Sequence, residues 1–189
     1  MRVLVVNAGS GSMKVDVVEA GESVASYDGL PDRAPAVDAV GHRIVHGGPD
    51  LVAPRVVDGD VERRLRDLVT LAPLHQPTSL RGLDAARRLL PDVPHVACFD
   101  TAFHATLPPA AYTYALPREW RERWGLGRYG FHGLSRAGAA RRVQQVVRGA
   151  RRTVTCHLGA GASLAAVLDG RSVDTTMGFT PLVRRRGNP

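Results

Sequence analysis

Two stretches of this chain restrict its fold more than anything else in it. Arg2–Val6 and Val15–Glu19 are short apolar runs on either side of Asn7-Ala8-Gly9-Ser10-Gly11-Ser12. Thr153–His157 and Ser163–Leu168 flank Gly159-Ala160-Gly161-Ala162 in the same way. Short runs rich in β-branched residues, joined by a glycine turn, form β-hairpins. Sheet is therefore required in both halves of the 189 residues. The turns have a second property: their small side chains leave backbone N–H groups open to an approaching anion, although ordinary tight turns share the composition.

The intervening segments alternate in character. Gly21–Ala36, broken by Gly, Pro and Asp, reads as loop, and Val37–His46 as a strand that runs into Gly47-Gly48. Asp60 is placed to cap a helix whose apolar positions Val61, Leu65, Leu68 and Val69 share one side. Pro73 and Pro77 bracket a tight loop, and Thr78 or Ser79 opens a second helix bearing Leu80, Leu83, Leu89 and Leu90. His95–Phe99 is a strand that delivers Asp100 at its carboxyl end, and Pro117–Trp124 and Ser135–Val147 are helical. Strands interleaved with helices make the chain an α/β protein.

A net charge of +7 invites a nucleic-acid partner, but Lys14 is the only lysine and the arginines are spread over several helices, among them Arg63, Arg64, Arg87, Arg88, Arg141 and Arg142. A nucleic-acid site gathers such residues on one face or in a known module. The charge is read as solvated helix faces, compatible with anionic small substrates. No run approaches the ~18 apolar residues of a membrane helix, and the first apolar stretch is too short for a secretory signal. These features imply a cytoplasmic protein without a membrane partner. Cys98 and Cys156 each end an apolar run and read as buried, reduced thiols.

Five short segments carry side chains suited to chemistry. After the first small-residue turn, Lys14 can reach a phosphate as a point charge, and Asn7 can ligate or orient a hydrated Mg²⁺. Arg43, between apolar neighbours in Gly41–Gly48, suits a carboxylate or phosphate, and equally a structural ion pair. Asp100 in Phe99–His104 stands where α/β folds hold reactive groups, or caps a turn. His132 in Tyr129–Gly133 is a donor to developing negative charge, or a core histidine. His157–Ser163 is a second phosphate cradle. Nucleotide kinases with two related lobes set one such hairpin from each lobe against the phosphates, so the pair says more than either alone.

Taken in order, Asn7–Lys14, His42–Gly48, Leu71–His75, Phe99–His104, Tyr112–Pro117, Arg128–Gly133, Cys156–Ser163 and Ser172–Leu182 resemble the acetate kinase (acetokinase) family over residues 1–182. The resemblance implies a ribonuclease H-like lobe of the acetate and sugar kinase/Hsc70/actin superfamily, with the second lobe incomplete. It implies a first actin-like ATPase lobe over 1–101, the beginning of a second over 102–182, and a divergent arginine-rich tail over 183–189. The implied reaction is transfer of a phosphoryl group from ATP to acetate, giving ADP and acetyl phosphate, with Mg²⁺ (or Mn²⁺) as cofactor. By position, Asp100 and His132 correspond to catalytic residues and Arg43 to the carboxylate-binding arginine. Val45, Leu74, Phe131 and Pro181 correspond to the apolar pocket around the acyl group. Lys14, His157, Leu158, Gly159, Ala160 and Gly161 correspond to ATP contacts, and Asn7 to the metal-associated asparagine. Propionate or butyrate kinases are sibling substrate classes, and relatives form homodimers.

The pattern departs from the family in four places. Leu134 and Arg136 replace a usual polar pair, Ala160 replaces an asparagine, and the stretch from Glu19 to Asp38 is short. After Leu182 no residue matches the segment with a second catalytic arginine. The implied consequence is little activity from the 189 residues alone, or an inactive remnant, or one half of an enzyme that needs a complementing chain. Val154, Leu164 and Val167 are then expected on an uncovered apolar face.

Overall fold

A computed structural model describes residues 1–9, 12–159 and 161–180. The chain divides into two compact units, one of residues 1–47 and 53–99 and one of residues 48–52 with those from 100 onward.

The first unit contains β1 (Arg2–Ala8), β2 (Met13–Glu19), β3 (Glu22–Asp28), β4 (Ala39–Ile44), β5 (Arg55–Val56), α1 (Gly59–Asp67), α2 (Gln76–Leu89) and β6 (His95–Phe99). The strands form one sheet in the order β3-β2-β1-β4-β6-β5. β1 is antiparallel to β2 but parallel to β4, and β4 is parallel to β6. Successive side chains on a strand point to opposite faces. Leu4, Val6, Val15, Val17 and Val40 are thereby buried together with Ala86 and Leu90. α2 supplies the cover because Leu80, Leu83 and Ala86 recur at helical spacing on its buried side. It lies so near β1 that a Cβ at Gly82 would stand 3.1 Å from the Ala8 Cβ. The opposite face carries Asn7, Lys14, Arg43 and Cys98, none of them fully buried.

Several local expectations are corrected here. The stretch read as loop contains β3, whose residues are almost all exposed, so no apolar alternation marks it. It is held by its backbone ladder to β2 after a turn at Ala20-Gly21, both with positive φ. α1 is capped by Asp58, whose carboxylate accepts from the Val61 N–H, and Asp60 lies inside the first turn. Leu68 leaves that helix for a 3-10 turn. α2 opens at Gln76, with Pro77 in its first turn where a missing N–H costs nothing.

The second unit contains α3 (Pro109–Tyr112), α4 (Arg118–Trp124), α5 (Gly133–Val146), β7 (Arg152–Leu158), β8 (Ala162–Leu168) and β9 (Arg171–Thr175), preceded by a 3-10 turn over Ala102–Thr106. Its three strands are antiparallel in sequence order. α5 packs on β7 and on the 3-10 turn. Ala165 and Val167 are buried on the inner face of β8, so Val167 is not part of the uncovered face. Val154 and Leu164 are, at 66% and 44% exposure, and Leu158 at 83% joins them on the same side. The cysteines follow the same alternation. Cys98 is half-buried opposite the core face of β6, and Cys156 is exposed, so neither is a buried thiol. Among the described residues no helix is long and apolar enough to cross a membrane. Residues 183–189 lie outside the described residues.

Candidate functional site

In the first unit the ladder brings three of the expected residues together. Asn7 and Lys14 are direct partners across the β1–β2 hairpin, so their side chains share one face. The parallel register pairs Val6 with His42, which sets Arg43 beside Asn7, and the Arg43 Nη1 donates to the Asn7 Oδ1 at 3.3 Å. An amide and two cations thus stand side by side on one face of the sheet. Val45 follows on the chain and is buried, whereas Leu74 is 73% exposed in the loop before α2.

The turn after Arg43 is held by Gln76, a fully buried residue that composition gave no reason to single out. Its Oε1 accepts from the His46 N–H at 3.2 Å, and its Nε2 donates to the His46 carbonyl at 3.2 Å and to that of Leu65 at 3.3 Å. Beneath Arg43, His42 and His95 form a buried pair, Nε2 to Nδ1 at 2.8 Å. The Leu90 carbonyl can only accept, so the His95 Nε2 carries the proton and donates to it at 2.9 Å. His42 then donates from Nε2 to the His95 Nδ1, leaving its own Nδ1 unprotonated. Burial, with Arg87 and His95 close by, lowers the His42 pKa to about 3.

In the second unit Asp100 is buried immediately after β6, and its carbonyl accepts from the Gly133 N–H at 2.8 Å. A side chain at Gly133 would meet that carbonyl oxygen at 2.2 Å, which explains glycine there. His132 sits at the start of α5 with φ 58° and ψ 22°, a left-handed conformation that a non-glycine residue adopts at a cost. Its ring stacks on that of His157 with centroids 3.9 Å apart, and its Nδ1 lies 2.9 Å from the Ser163 Oγ. His157 in turn approaches the Ser135 Oγ through Nδ1 at 3.1 Å. Gly161 closes over His132: a Cβ there would stand 3.7 Å from its Nε2. Gly159 donates to the Gly161 carbonyl at 3.2 Å, and Leu158 is exposed. Phe131 is buried, and its carbonyl accepts from the His104 Nε2 at 3.1 Å. Ala160 and Pro181, both named above, lie outside the described residues.

Two residues of this cluster had no assigned role. Arg136, noted only as a departure, is 1% exposed and donates from Nη1 to the Thr155 carbonyl and hydroxyl and from Nη2 to the Ser163 hydroxyl. Its spacing of one helical turn from His132 was a signal, since residues four apart share a helix face. Ser163 belongs with Ala165 and Val167 on the inward face of β8.

Among the described residues no group of three or more His, Cys, Asp or Glu could hold a metal ion. Mg²⁺ keeps most of its waters and rides on substrate phosphates, needing one or two protein oxygens. The Asn7 amide oxygen, on the open face and with a lone pair to spare beyond Arg43, fits that use.

The model of the acetokinase family matches residues 25–184. The chain belongs to the acetokinase family. This acetokinase-family chain is 52% identical over 149 residues to the acetate kinase of Acetivibrio thermocellus, covering 77% of the chain and 37% of that relative. Among solved structures, the acetate kinase of Porphyromonas gingivalis is 32% identical with a TM-score of 0.81, and a propionate kinase of Francisella tularensis is 28% identical with a TM-score of 0.86. Each match covers 95% of this chain and 58% of the solved one. The fold is that of the acetate and sugar kinase/Hsc70/actin superfamily. The chain spans about two fifths of the length of the curated relatives it matches.

Proposed function

We propose that these residues serve transfer of the γ-phosphoryl group of ATP to acetate, giving acetyl phosphate and ADP, in a cytoplasmic enzyme. The observation that carries the reading, beside family membership, is the row formed by Asn7, Lys14 and Arg43 on one open face of a sheet. An acyl carboxylate is already an anion, so the reaction needs little proton transfer. It needs alignment of two negative reactants and neutralisation of charge as the phosphoryl group moves. In the first unit Arg43 grips the carboxylate through its planar fork, Lys14 faces a nucleotide phosphate, and Asn7 holds a hydrated Mg²⁺ (or Mn²⁺). Bound with the nucleotide, that ion supplies positive charge at the phosphoryl oxygens. In the second unit His132 donates a hydrogen bond to the transferring group, Asp100 is its acidic companion, and the His157–Gly161 turn is assigned to contacts with the ATP phosphates. Val45, Leu74, Phe131 and Pro181 are assigned to the acyl group by their positions in the family motifs. Propionate and butyrate are sibling substrates that differ from acetate only in packing, where one methylene is worth about 1–3 kcal/mol. We assign the first unit to one ATPase lobe and the second to the start of another.

A second reading is that the 189 residues work with further polypeptide, either a complementing half or a second copy. It is favoured by the exposed apolar row of Val154, Leu158 and Leu164, the kind of patch that a partner surface covers. Under both readings the isolated 189 residues bind acetate weakly, lack tight ATP binding and turn over slowly.

Equilibrium dialysis with acetate, alongside acetyl phosphate formation from acetate and Mg·ATP, tests this. Arg43→Ala removes charged hydrogen bonds worth about 1.5–3 kcal/mol and should lower acetate affinity roughly 10- to 150-fold. Unchanged acetate binding in that variant would overturn the assignment, and submicromolar ATP affinity of the isolated chain would overturn the expectation of weak nucleotide binding.

A further inference from the structure

The Ser163 hydroxyl is buried and sits between two nitrogens, the Arg136 Nη2 and the His132 Nδ1. A guanidinium has donors and no acceptor, so the Arg136 contact places a lone pair of the Ser163 Oγ on Arg136 and leaves the hydroxyl proton to be donated elsewhere. Among the described residues the only acceptor Ser163 meets is the His132 Nδ1, at 2.9 Å. If that nitrogen carried a proton, the hydroxyl would face donors on both sides and its own proton would be stranded in the interior, which costs free energy.

We propose that Arg136, acting through Ser163, is a positioning residue that fixes His132 as the neutral tautomer with its proton on Nε2. This rests on the reading of His132 as a hydrogen-bond donor to the transferring phosphoryl group, because the relay sends the ring's only proton to the nitrogen beside Gly161. The chain of donors runs one way: the Arg136 Nη2 to the Ser163 Oγ, then the Ser163 hydroxyl to the His132 Nδ1. Four further contacts make the relay rigid. The same guanidinium is anchored by Nη1 to the Thr155 carbonyl and, at 2.9 Å, to the Thr155 hydroxyl. α5 carries both His132 and Arg136, and the Arg136 N–H donates to the His132 carbonyl at 3.0 Å. The His157 ring, itself near the Ser135 hydroxyl, covers one face of the imidazole. The arginine that breaks the family pattern thereby gains a use: it orients a hydroxyl from β8.

The test is nitrogen NMR of the full 189-residue chain labelled with ¹⁵N-histidine, with the His132 signals assigned by their loss in His132→Gln. Long-range ¹H–¹⁵N correlations distinguish a protonated ring nitrogen from a bare one. The expected wild-type spectrum has a bare Nδ1 and a protonated Nε2, with the other tautomer at least about fivefold less populated, from the cost of one stranded buried hydroxyl. Ser163→Asp offers only acceptors to the ring and should reverse the assignment, placing the proton on Nδ1. Arg136→Met and the milder Ser163→Ala should both yield a mixture of tautomers. A protonated Nδ1 in the wild type, or a Ser163→Ala spectrum identical to wild type, would overturn the relay. An unchanged spectrum in Arg136→Met with Ser163→Ala shifted would remove Arg136 from it. The spectrum reads the tautomer whether or not the chain makes acetyl phosphate, so failure of the kinase reading is seen separately in the turnover assay.

Discussion

Replacing Gly133 by alanine isolates the contact that joins Asp100 to the start of α5. The new methyl carbon would lie 2.2 Å from the Asp100 carbonyl oxygen, 3.0 Å from its carbonyl carbon and 3.1 Å from the Phe103 Cβ. Carbon and carbonyl oxygen ordinarily approach no closer than about 3.3 Å, so roughly 1 Å must be found by moving main chain. That displacement stretches the Gly133 N–H to Asp100 bond, now 2.8 Å. Overpacking costs about 1–3 kcal/mol and the lost hydrogen bond about 0.5–1.5 kcal/mol. Alanine returns at most about 1 kcal/mol as a better helix former. The net expectation is a loss centred on about 2 kcal/mol.

Gly138 provides the internal control, because it lies in the same helix and a Cβ there would meet nothing within 4 Å. Gly138→Ala should therefore stabilise by up to about 1 kcal/mol. Urea unfolding followed by circular dichroism and by tryptophan fluorescence measures both, since Trp120 and Trp124 are the only tryptophans and both lie in the second unit. With a urea slope of about 2 kcal/mol per molar, the two midpoints should separate by more than about 1 M. Equal midpoints would refute the reasoning, for they would mean that the Asp100 carbonyl can yield without cost.

Stability should fall on mild acidification. Burial lowers His42 to about 3 and His46 and His104 to about 4, while the unfolded chain titrates them near 6.5. The unfolded state then binds more protons below that value, so stability is full at pH 7 and above and declines as pH drops from 6.5 toward 4. Each group contributes a loss of about 2 kcal/mol by pH 5, and a urea midpoint unchanged between pH 7.5 and 5 would contradict this. Gln76→Leu should cost about 2–4 kcal/mol, because it strips partners from both His46 backbone groups and from the Leu65 carbonyl. The same variant should weaken acetate binding through the turn after Arg43, and a change in stability below about 0.5 kcal/mol would show that the amide is not the staple.

The sequence by itself determined what depends on short-range pattern. Both hairpins, the strand ending at Phe99 and the helices through Leu83 and Ala140 follow from alternation, helical spacing and glycine turns, which act over a few residues. The ordered motifs were enough to indicate the family. β9 was not assigned, although Asp169-Gly170, both with positive φ, is a strong hairpin turn between two strands. Nor was β3, because an exposed edge strand is held by its ladder and has no buried face to impress a period on the sequence.

What only the tertiary structure decided is which polar atoms meet. Register, a property of two strands together, set Arg43 beside Asn7 and Lys14 across from it. Alternation decided that Cys156 faces outward and Ser163 inward, a difference that no local preference of either residue contains. Arg136 looked like a defect in a motif until the fold laid β7 against α5 and brought Ser163 of the neighbouring β8 within its reach. A buried guanidinium must find acceptors, and those at Thr155 and Ser163 stand 19 and 27 residues further along the chain.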